Sequence, residues 1–297
     1  MKKRFVAEGA LIGAALLYGV TFPLVHDALD DITPFAYLVG RFGIATLLLA
    51  PVTIPALRTR GPERRMLLRA GLTAGAILFG GYATQTIGLQ YTSPSTSAFL
   101  TGLYVIITPV IESVISRRLP RPPVIAGIVI ATVGLYLLTG ADVQLGRGEV
   151  LTLACAVLFA WHIVYIGAYA NLLSPLQFGS VQIAAVALVS VAPATQQGVG
   201  SLSTVAIVAV VFTGVACSAV ALPLQLWGQQ RIPATRAALI LLSEPVFAGI
   251  AGYVNGERLG AERLAGALTI LVGIVVSEFW PRRPVPPDPA SRDRLTP

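Results

Sequence analysis

PFAYLVGRFGIATLLLAPVTIPAL, residues 34–57, is a run of 24 residues with one charge in it, Arg41. At a rise of 1.5 Å per residue a helix of that length reaches about 36 Å, past the ~30 Å hydrocarbon core of a bilayer. The run is continuous rather than alternating, which favours a membrane helix over a barrel strand. Nine further runs resemble it. The ten expected spans are 5–26, 34–57, 68–90, 95–116, 122–140, 148–171, 175–195, 203–228, 234–255 and 261–280. Proline and glycine mark many of the joints between them, among them Pro34, Pro94, Pro122-Pro123, Gly146, Pro175, Gly198, Pro233 and Gly260.

Composition agrees. The chain is 55% hydrophobic and 12% charged, with a mean hydropathy of +0.76. A soluble domain is typically ~25% charged, so the class expected is all-α integral membrane. The net charge of +7 does not point to nucleic acid, because the charges sit in short clusters between spans, as membrane orientation requires. One side collects Lys2, Lys3 and Arg4, then Arg58, Arg60, Arg64, Arg65 and Arg69. It also takes Arg117, Arg118 and Arg121, then Arg231 and Arg236, then Arg282, Arg283, Arg292 and Arg294. The other side has Arg147, Arg258 and Arg263. This split of seventeen to three places both termini in the cytoplasm. The expected location is the inner (cytoplasmic) membrane of a bacterium. The first span is too long for a signal peptide and lacks a clear cleavage site, so it is expected to be retained. Residues 281–297 are proline-rich and charged, and are expected to be a disordered cytoplasmic tail. Cys155 and Cys217 both lie in apolar runs and read as packing residues, not as a disulfide or metal framework.

The two halves match each other. Leu17-Tyr18-Gly19-Val20-Thr21-Phe22-Pro23 aligns with Leu158-Phe159-Ala160-Trp161-His162-Ile163-Val164. Pro34 aligns with Pro175, which sets Arg41 against Gln182, and Gln85 aligns with Gln225. Thr96-Ser97-Ala98-Phe99-Leu100 aligns with Thr235-Arg236-Ala237-Ala238-Leu239, and Pro109 and Pro245 follow. Each copy holds five spans. An odd number makes the second copy enter from the opposite side, so the expected units are inverted repeats over 5–140 and 146–280.

These segments carry a resemblance. Tyr18-Gly19-Val20-Thr21-Phe22-Pro23, Gly88-Leu89-Gln90-Tyr91-Thr92-Ser93 and Ala98-Phe99-Leu100-Thr101-Gly102-Leu103-Tyr104-Val105 come from the first half. Pro233-Ala234-Thr235-Arg236-Ala237-Ala238-Leu239-Ile240, Ser243-Glu244-Pro245-Val246-Phe247 and Gly256-Glu257-Arg258-Leu259 come from the second. In order and spacing the set resembles the EamA family of the drug/metabolite transporter superfamily. The resemblance implies ten transmembrane helices as two EamA repeats, and export or exchange of small metabolites or drugs. It departs where the common Trp-Gly-Thr of the first span reads Tyr18-Gly19-Val20, and where Gly-Glu-Arg-Leu in the first half reads Ser116-Arg117-Arg118-Leu119.

Polar residues within apolar runs are the candidate substrate contacts. Ser97, Thr101, Tyr104 and Thr108 recur at spacings of four, three and four, so one helix face carries them. They could line a path or bond helix to helix, and Thr101 and Tyr104 are taken as contacts. Tyr18 and Thr21 lie one turn apart in the first span, as do Tyr82 and Gln85 in the third. Gln85 and Gln225 should face inward, since lipid satisfies no amide. His162 is the first candidate for moving a proton, with a packed histidine as the alternative. Tyr165 and Tyr169 share its face, while Trp161 lies about 100° away; Trp161 and Tyr165 are candidates for stacking on a ligand. Glu244 stands beside Pro245, which frees a backbone carbonyl and suits a kink or gate. Glu112, nearer the cytoplasmic end, is expected to pair with Arg117 or Arg118. Arg41 could snorkel to the outer surface, join an internal ion pair or hold a substrate carboxylate.

A carrier working by alternating access through a central cavity is the function expected, with proton coupling and an uncoupled facilitator both open. The expected partners are a small-molecule substrate, the lipid bilayer and protons, with no cofactor and no nucleic acid. A monomer and a homodimer are both open, the latter through a glycine face at Gly266–Gly273. No zinc-protease His-Glu-x-x-His, Gly-x-Ser-x-Gly nucleophile or pair of catalytic aspartates within a span occurs. An enzyme is therefore not expected.

Overall fold

The computed structural model describes residues 2–19, 21–58, 61–140, 144–254 and 260–278. Expectations on Val20, the Gly256–Leu259 segment, Arg60 and the tail at 281–297 lie outside the described residues. Every named element is a helix. In order they are α1 (Lys2–Gly19), α2 (Thr21–Ala28), α3 (Pro34–Arg58), α4 (Pro62–Leu89), α5 (Pro94–Gly102), α6 (Tyr104–Ser116) and α7 (Pro122–Thr139). The second half continues with α8 (Arg147–Tyr169), α9 (Pro175–Gln197), α10 (Thr204–Phe212), a π-helical turn (Thr213–Ala221), α11 (Leu222–Gln229), α12 (Ala234–Leu241), α13 (Glu244–Val254) and α14 (Ala261–Glu278). Five of these helices open on proline, whose missing N–H would be unbonded at that position anyway.

Among the described residues, eight helices are long and apolar enough to cross a membrane. They begin at Lys3, Pro34, Pro62, Pro94, Pro122, Arg147, Pro175 and Thr204. The last two expected spans differ. The ninth is interrupted between Leu241 and Glu244, just before Pro245, whose ring crowds the carbonyl four residues back. The tenth, α14, carries Glu262, Arg263 and Glu278 within its 18 residues. The fourth expected span is also broken, at Leu103. Large apolar side chains such as Leu47, Val114, Val133 and Leu188 cover the outer surface, as a lipid-facing wall requires.

Glycines set the frame, and their contacts occur twice. A Cβ on Gly88 of α4 would meet Thr152 Oγ1 at 2.9 Å and Gly148 O at 3.0 Å in α8. A Cβ on Gly228, its aligned partner in α11, would meet Leu11 Cγ at 2.7 Å and Ala7 O at 3.1 Å in α1, which align with Thr152 and Gly148. Gly75 of α4 likewise abuts Gln182 O and Ala185 in α9, while Gly214 abuts Arg41 O and Ile44 in α3. Gly75 and Gln85 are ten residues apart; Gly214 and Gln225 are eleven apart. The second copy therefore has one residue more, and the π turn lies on that stretch. A wider turn absorbs the extra residue, so that Gly214 still meets α3 while Gln225 still faces inward. Pro223, which cannot donate to the carbonyl of Ala219, follows directly.

The third crossing pairs α7 with α14. Gly127 meets Gly273, and Gly134 meets Gly266, so the two helices run antiparallel. All four glycines are buried. The expected dimer face at Gly266–Gly273 is thus corrected: these glycines close a seam within the chain, where backbone meets backbone. Gly134→Leu should force that seam apart and lower the unfolding free energy in detergent by about 1–3 kcal/mol. Gly9→Leu, with nothing within 4 Å of its Cβ position, should change it by less than about 0.5 kcal/mol. Equal unfolding midpoints for the two variants would contradict this seam.

Candidate functional site

A cavity lies among α1–α6, α8 and α11–α13, and ten of the twelve candidate residues border it. They are Tyr18, Thr21, Arg41, Tyr82, Gln85, Thr101, Tyr104, His162, Gln225 and Glu244. The space open to a water-sized sphere is about 90 Å³. Apolar walls come from residues such as Leu78, Phe159, Ile163 and Leu222.

Arg41 is 4% exposed and does not snorkel. Its Nε donates to Ser218 Oγ at 2.9 Å, its Nη2 to Tyr82 OH at 3.1 Å and its Nη1 to Tyr37 OH at 3.4 Å. Its Cζ also lies 4.3 Å from the Tyr82 ring centroid and 5.1 Å from that of Phe42. Tyr37 OH in turn donates to Thr213 Oγ1 at 2.9 Å. Both Ser218 and Thr213 belong to the π turn, which therefore supplies oxygens on the face that meets α3. Among the described residues no carboxylate pairs with Arg41, so the expected internal ion pair is absent there. Two of its five N–H donors have no acceptor among the described residues.

Glu244 opens α13, where the chain restarts after the break. Its carboxylate makes no hydrogen bond or ion pair among the described residues, and it borders the cavity. Gly19 makes that position: a Cβ there would meet Glu244 O at 2.6 Å, so α1 and α13 touch backbone to backbone.

The two glutamines reach inward. Gln85 Nε2 donates to Thr101 Oγ1 at 3.3 Å, and Gln225 Oε1 accepts from Tyr18 OH at 3.3 Å. Gln229 Nε2 donates to Ile163 O at 2.9 Å, which ties α11 to α8. His162 is 3% exposed, and its Nε2 lies 2.7 Å from Gln182 Oε1. The amide nitrogen of Gln182 is buried without a partner.

Trp161 and Tyr165 do not border the cavity. One residue turns a helix by about 100°, so with His162 facing inward Trp161 points to the lipid side, 46% exposed. Tyr165 packs on Tyr169, ring centroids 5.1 Å apart. Of the hydroxyl row in the fourth span, only Thr101 and Tyr104 reach the cavity. Thr108 donates to Tyr104 O at 2.7 Å, and Ser97 Oγ is buried without a partner among the described residues. Tyr37 and Phe159 line the cavity without having been expected. The signals existed: Tyr37 is one turn from Arg41, and Phe159 aligns with Tyr18.

Glu112 does not pair with Arg117 or Arg118. Its Oε2 accepts from Thr235 N at 3.0 Å and from the Thr235 hydroxyl, so it caps the first turn of α12, where a helix favours negative charge. Glu8 Oε1 accepts from Arg4 Nε at 2.8 Å and lies 3.6 Å from Arg236 Nη2. These bonds join α1, α6 and α12 at one end of the molecule. Among the described residues no group of three His, Cys, Asp or Glu could hold a metal ion.

In a background with Cys155 and Cys217 replaced by alanine, Thr21→Cys and Tyr104→Cys should react with a water-soluble, membrane-impermeant thiol reagent. Trp161→Cys should react far more slowly, because a thiol in hydrocarbon does not ionise. Equal rates at Tyr104→Cys and Trp161→Cys would contradict the placement of the cavity.

Comparison with known proteins gives concordant matches. A family model described as the EamA-like transporter family matches residues 6–140 and again 146–279. A protein of Archaeoglobus fulgidus called an uncharacterized transporter is 32% identical over 276 residues, which is 92% of this chain and 86% of that one. The uncharacterized transporter YyaM of Bacillus subtilis is 24% identical over 283 residues, 90% of this chain and 92% of that one. One solved crystal structure shares the fold at a TM-score of 0.78 and 19% identity, covering 94% of this chain and 99% of that one.

Proposed function

This chain belongs to the EamA-like transporter family, and from that premise we propose that it exports or exchanges small organic solutes by alternating access through the cavity just described. At the coarser level it is a multi-pass membrane transporter. The finer reading rests on one observation: a buried cavity that combines Arg41, Glu244, His162 and two glutamines with apolar walls, and draws on both family repeats. Ionisable groups at membrane depth are costly and mark solute paths.

An inverted repeat of five plus five spans is the architecture proposed, with both termini in the cytoplasm of a bacterial cell. The doubled glycine contacts support it. So does the α7–α14 seam, in which aligned glycines meet head to tail. Two units related in this way can rock about the cavity and expose it to either side. The bonds from Tyr18 to Gln225, from Glu112 to Thr235 and from Glu8 to Arg236 join helices of opposite halves. They would have to part for the cavity to open toward the N-terminal end. Pro23, Pro109, Pro223 and Pro245, each within a span, are the proposed flexing points.

Size favours metabolites over drugs. The space open to a water-sized sphere, about 90 Å³, is well below the ~300–1,000 Å³ of a pocket for a drug-sized ligand. His162 and Glu244 are the proposed proton sites, since both border the cavity and both can change charge.

Proteoliposomes holding the purified protein should take up at least one member of a panel of amino acids, nucleosides and cationic drugs. A pH gradient should raise that uptake, and His162→Ala or Glu244→Gln should abolish the gradient-driven part. Full gradient-driven uptake in both variants would remove the proton sites. Uptake indifferent to the gradient would make the protein an uncoupled facilitator.

A further inference from the structure

A second pocket lies away from the central cavity, where the chain turns from α3 into α4. Gly61, Pro62, Arg65, Met66 and Arg69 line it, and Tyr169 closes it from the end of α8. The space open to a water-sized sphere is about 590 Å³, within the ~300–1,000 Å³ of ligand pockets. The pocket is at the same end of the molecule as the start of α1: Gln230 Nε2 donates to Ala170 O at 2.9 Å, and nearby Gly228 abuts Ala7 O. The Tyr169 ring is held in place, its centroid 5.1 Å from that of Tyr165 and 6.3 Å from that of Phe178. Arg65 and Arg69 stand one turn apart on α4, a spacing at which like charges repel. Neither they nor Arg58 and Arg64 beside them make an ion pair or side-chain hydrogen bond among the described residues. Glu63, the one acidic residue between 58 and 69, does not border the pocket.

We propose that this pocket binds the headgroup of an anionic phospholipid. A phosphodiester set between Arg65 and Arg69 accepts from both guanidinium forks and relieves their repulsion. The shape of α4 favours a lipid over a free anion. Gly71 packs α4 on Val181 of α9, so Arg65, Arg69, Leu72 and Ala76, at spacings of four, three and four, are turned outward and exposed. No charge follows Arg69 until the end of α4 at Leu89, so Arg69 marks the edge of the hydrocarbon. From Arg69 to Ala76 the helix descends about 10 Å. The pocket therefore continues into an apolar strip on which the acyl chains of a bound lipid lie. The frame does not need the charges. In the register that sets Gly75 against Gly214, Arg65 falls opposite Thr204 and Arg69 opposite Val208, while the turn glycine is kept, Gly61 opposite Gly200. Both glycines have positive φ, 128° and 79°. The same corner is thus built twice, and only one copy is basic. Basic pockets beside membrane helices recognise anionic headgroups in this way.

Lipid binding is read without any flux, so the result stands apart from the transport reading. Native mass spectrometry of the full chain in detergent, with phosphatidylglycerol or phosphatidylcholine added, counts the lipids retained and gives their affinities. Phosphatidylglycerol should bind at least about tenfold more tightly than phosphatidylcholine, which carries the same phosphodiester but no net charge. Arg65→Gln combined with Arg69→Gln should remove that preference. Arg65→Lys combined with Arg69→Lys should keep part of it, since lysine keeps the charge but not the fork of donors. Arg117→Gln combined with Arg118→Gln changes another exposed basic pair at the same end, outside the pocket, and should leave the preference whole. Thermal unfolding of each variant before lipid is added shows whether it is folded. If the Arg65 and Arg69 pair to glutamine unfolds, Arg69→Gln alone takes its place and should weaken phosphatidylglycerol by at least about threefold. Equal affinity for the two lipids would overturn the proposal. So would an equal loss in the two glutamine pairs, which would reduce the effect to general surface charge. Release of phosphatidylglycerol by inorganic phosphate at millimolar concentration would make this a site for a free anion and overturn the lipid assignment.

Discussion

A guanidinium buried within a membrane helix is the constraint around which the centre of this protein is arranged. Placing an arginine at the middle of a bilayer costs from ~2.5–3.5 kcal/mol on insertion scales to ~10–17 in simulations of an isolated helix. Hydrogen bonds to a charged group return ~1.5–3 kcal/mol each, and a desolvated cation–π contact returns ~2. Three bonds and the Tyr82 ring together therefore exceed the lower of these costs with no counter-ion among the described residues. That balance explains why Tyr37, Tyr82 and Ser218 converge from three different helical segments. It also explains how the charge of Arg41 stays available to the cavity.

The partners reach Arg41 only because backbones approach closely. Gly214 lets the π turn lie against the carbonyl of Arg41 itself. From there Thr213 and Ser218 extend the polar contacts along α3. In the first copy Gly75 does the same against Gln182. The duplicated contact is thus a piece of framework, while the side chain beside it differs between copies. Without a hydrophobic force between helices in lipid, such close contact is what holds the helices together.

Hydropathy made the spans legible, because each apolar run has to be long enough to cross the bilayer. Which way a side chain faces was legible where polarity forced it, as at Gln85 and Gln225. It was not legible for Trp161, an aromatic that sits equally well in lipid and in a cavity; only the placement of His162 one residue later settles it. The breaks at Leu103 and Leu242-Ser243 depend on tertiary packing that composition does not encode. Pro245 hinted at the second of these, and the alignment of the halves, which sets Leu103 opposite Leu242, carries that hint to the first. The π turn could have been found, since Gly75 to Gln85 and Gly214 to Gln225 differ by one residue. Glu112 was misread because charged neighbours in sequence suggest ion pairs. Its partner is the backbone of α12, 123 positions away.

Symmetry and asymmetry have different tasks here. The frame repeats itself: glycine contacts recur, and helices aligned between the copies make the same crossings. Two related arrangements of similar energy are what the proposed rocking carrier requires of such a frame. The lining is not twofold. Tyr18 faces Phe159 in the alignment, Thr21 faces His162, and Arg41 faces Gln182. If the lining were also symmetric, a bound solute would meet two equal half-sites and gain nothing from a particular orientation. Each copy supplies different side chains, Arg41 from the first and Glu244 from the second. In the carrier proposed, the two copies would move alike while presenting unlike groups to the solute.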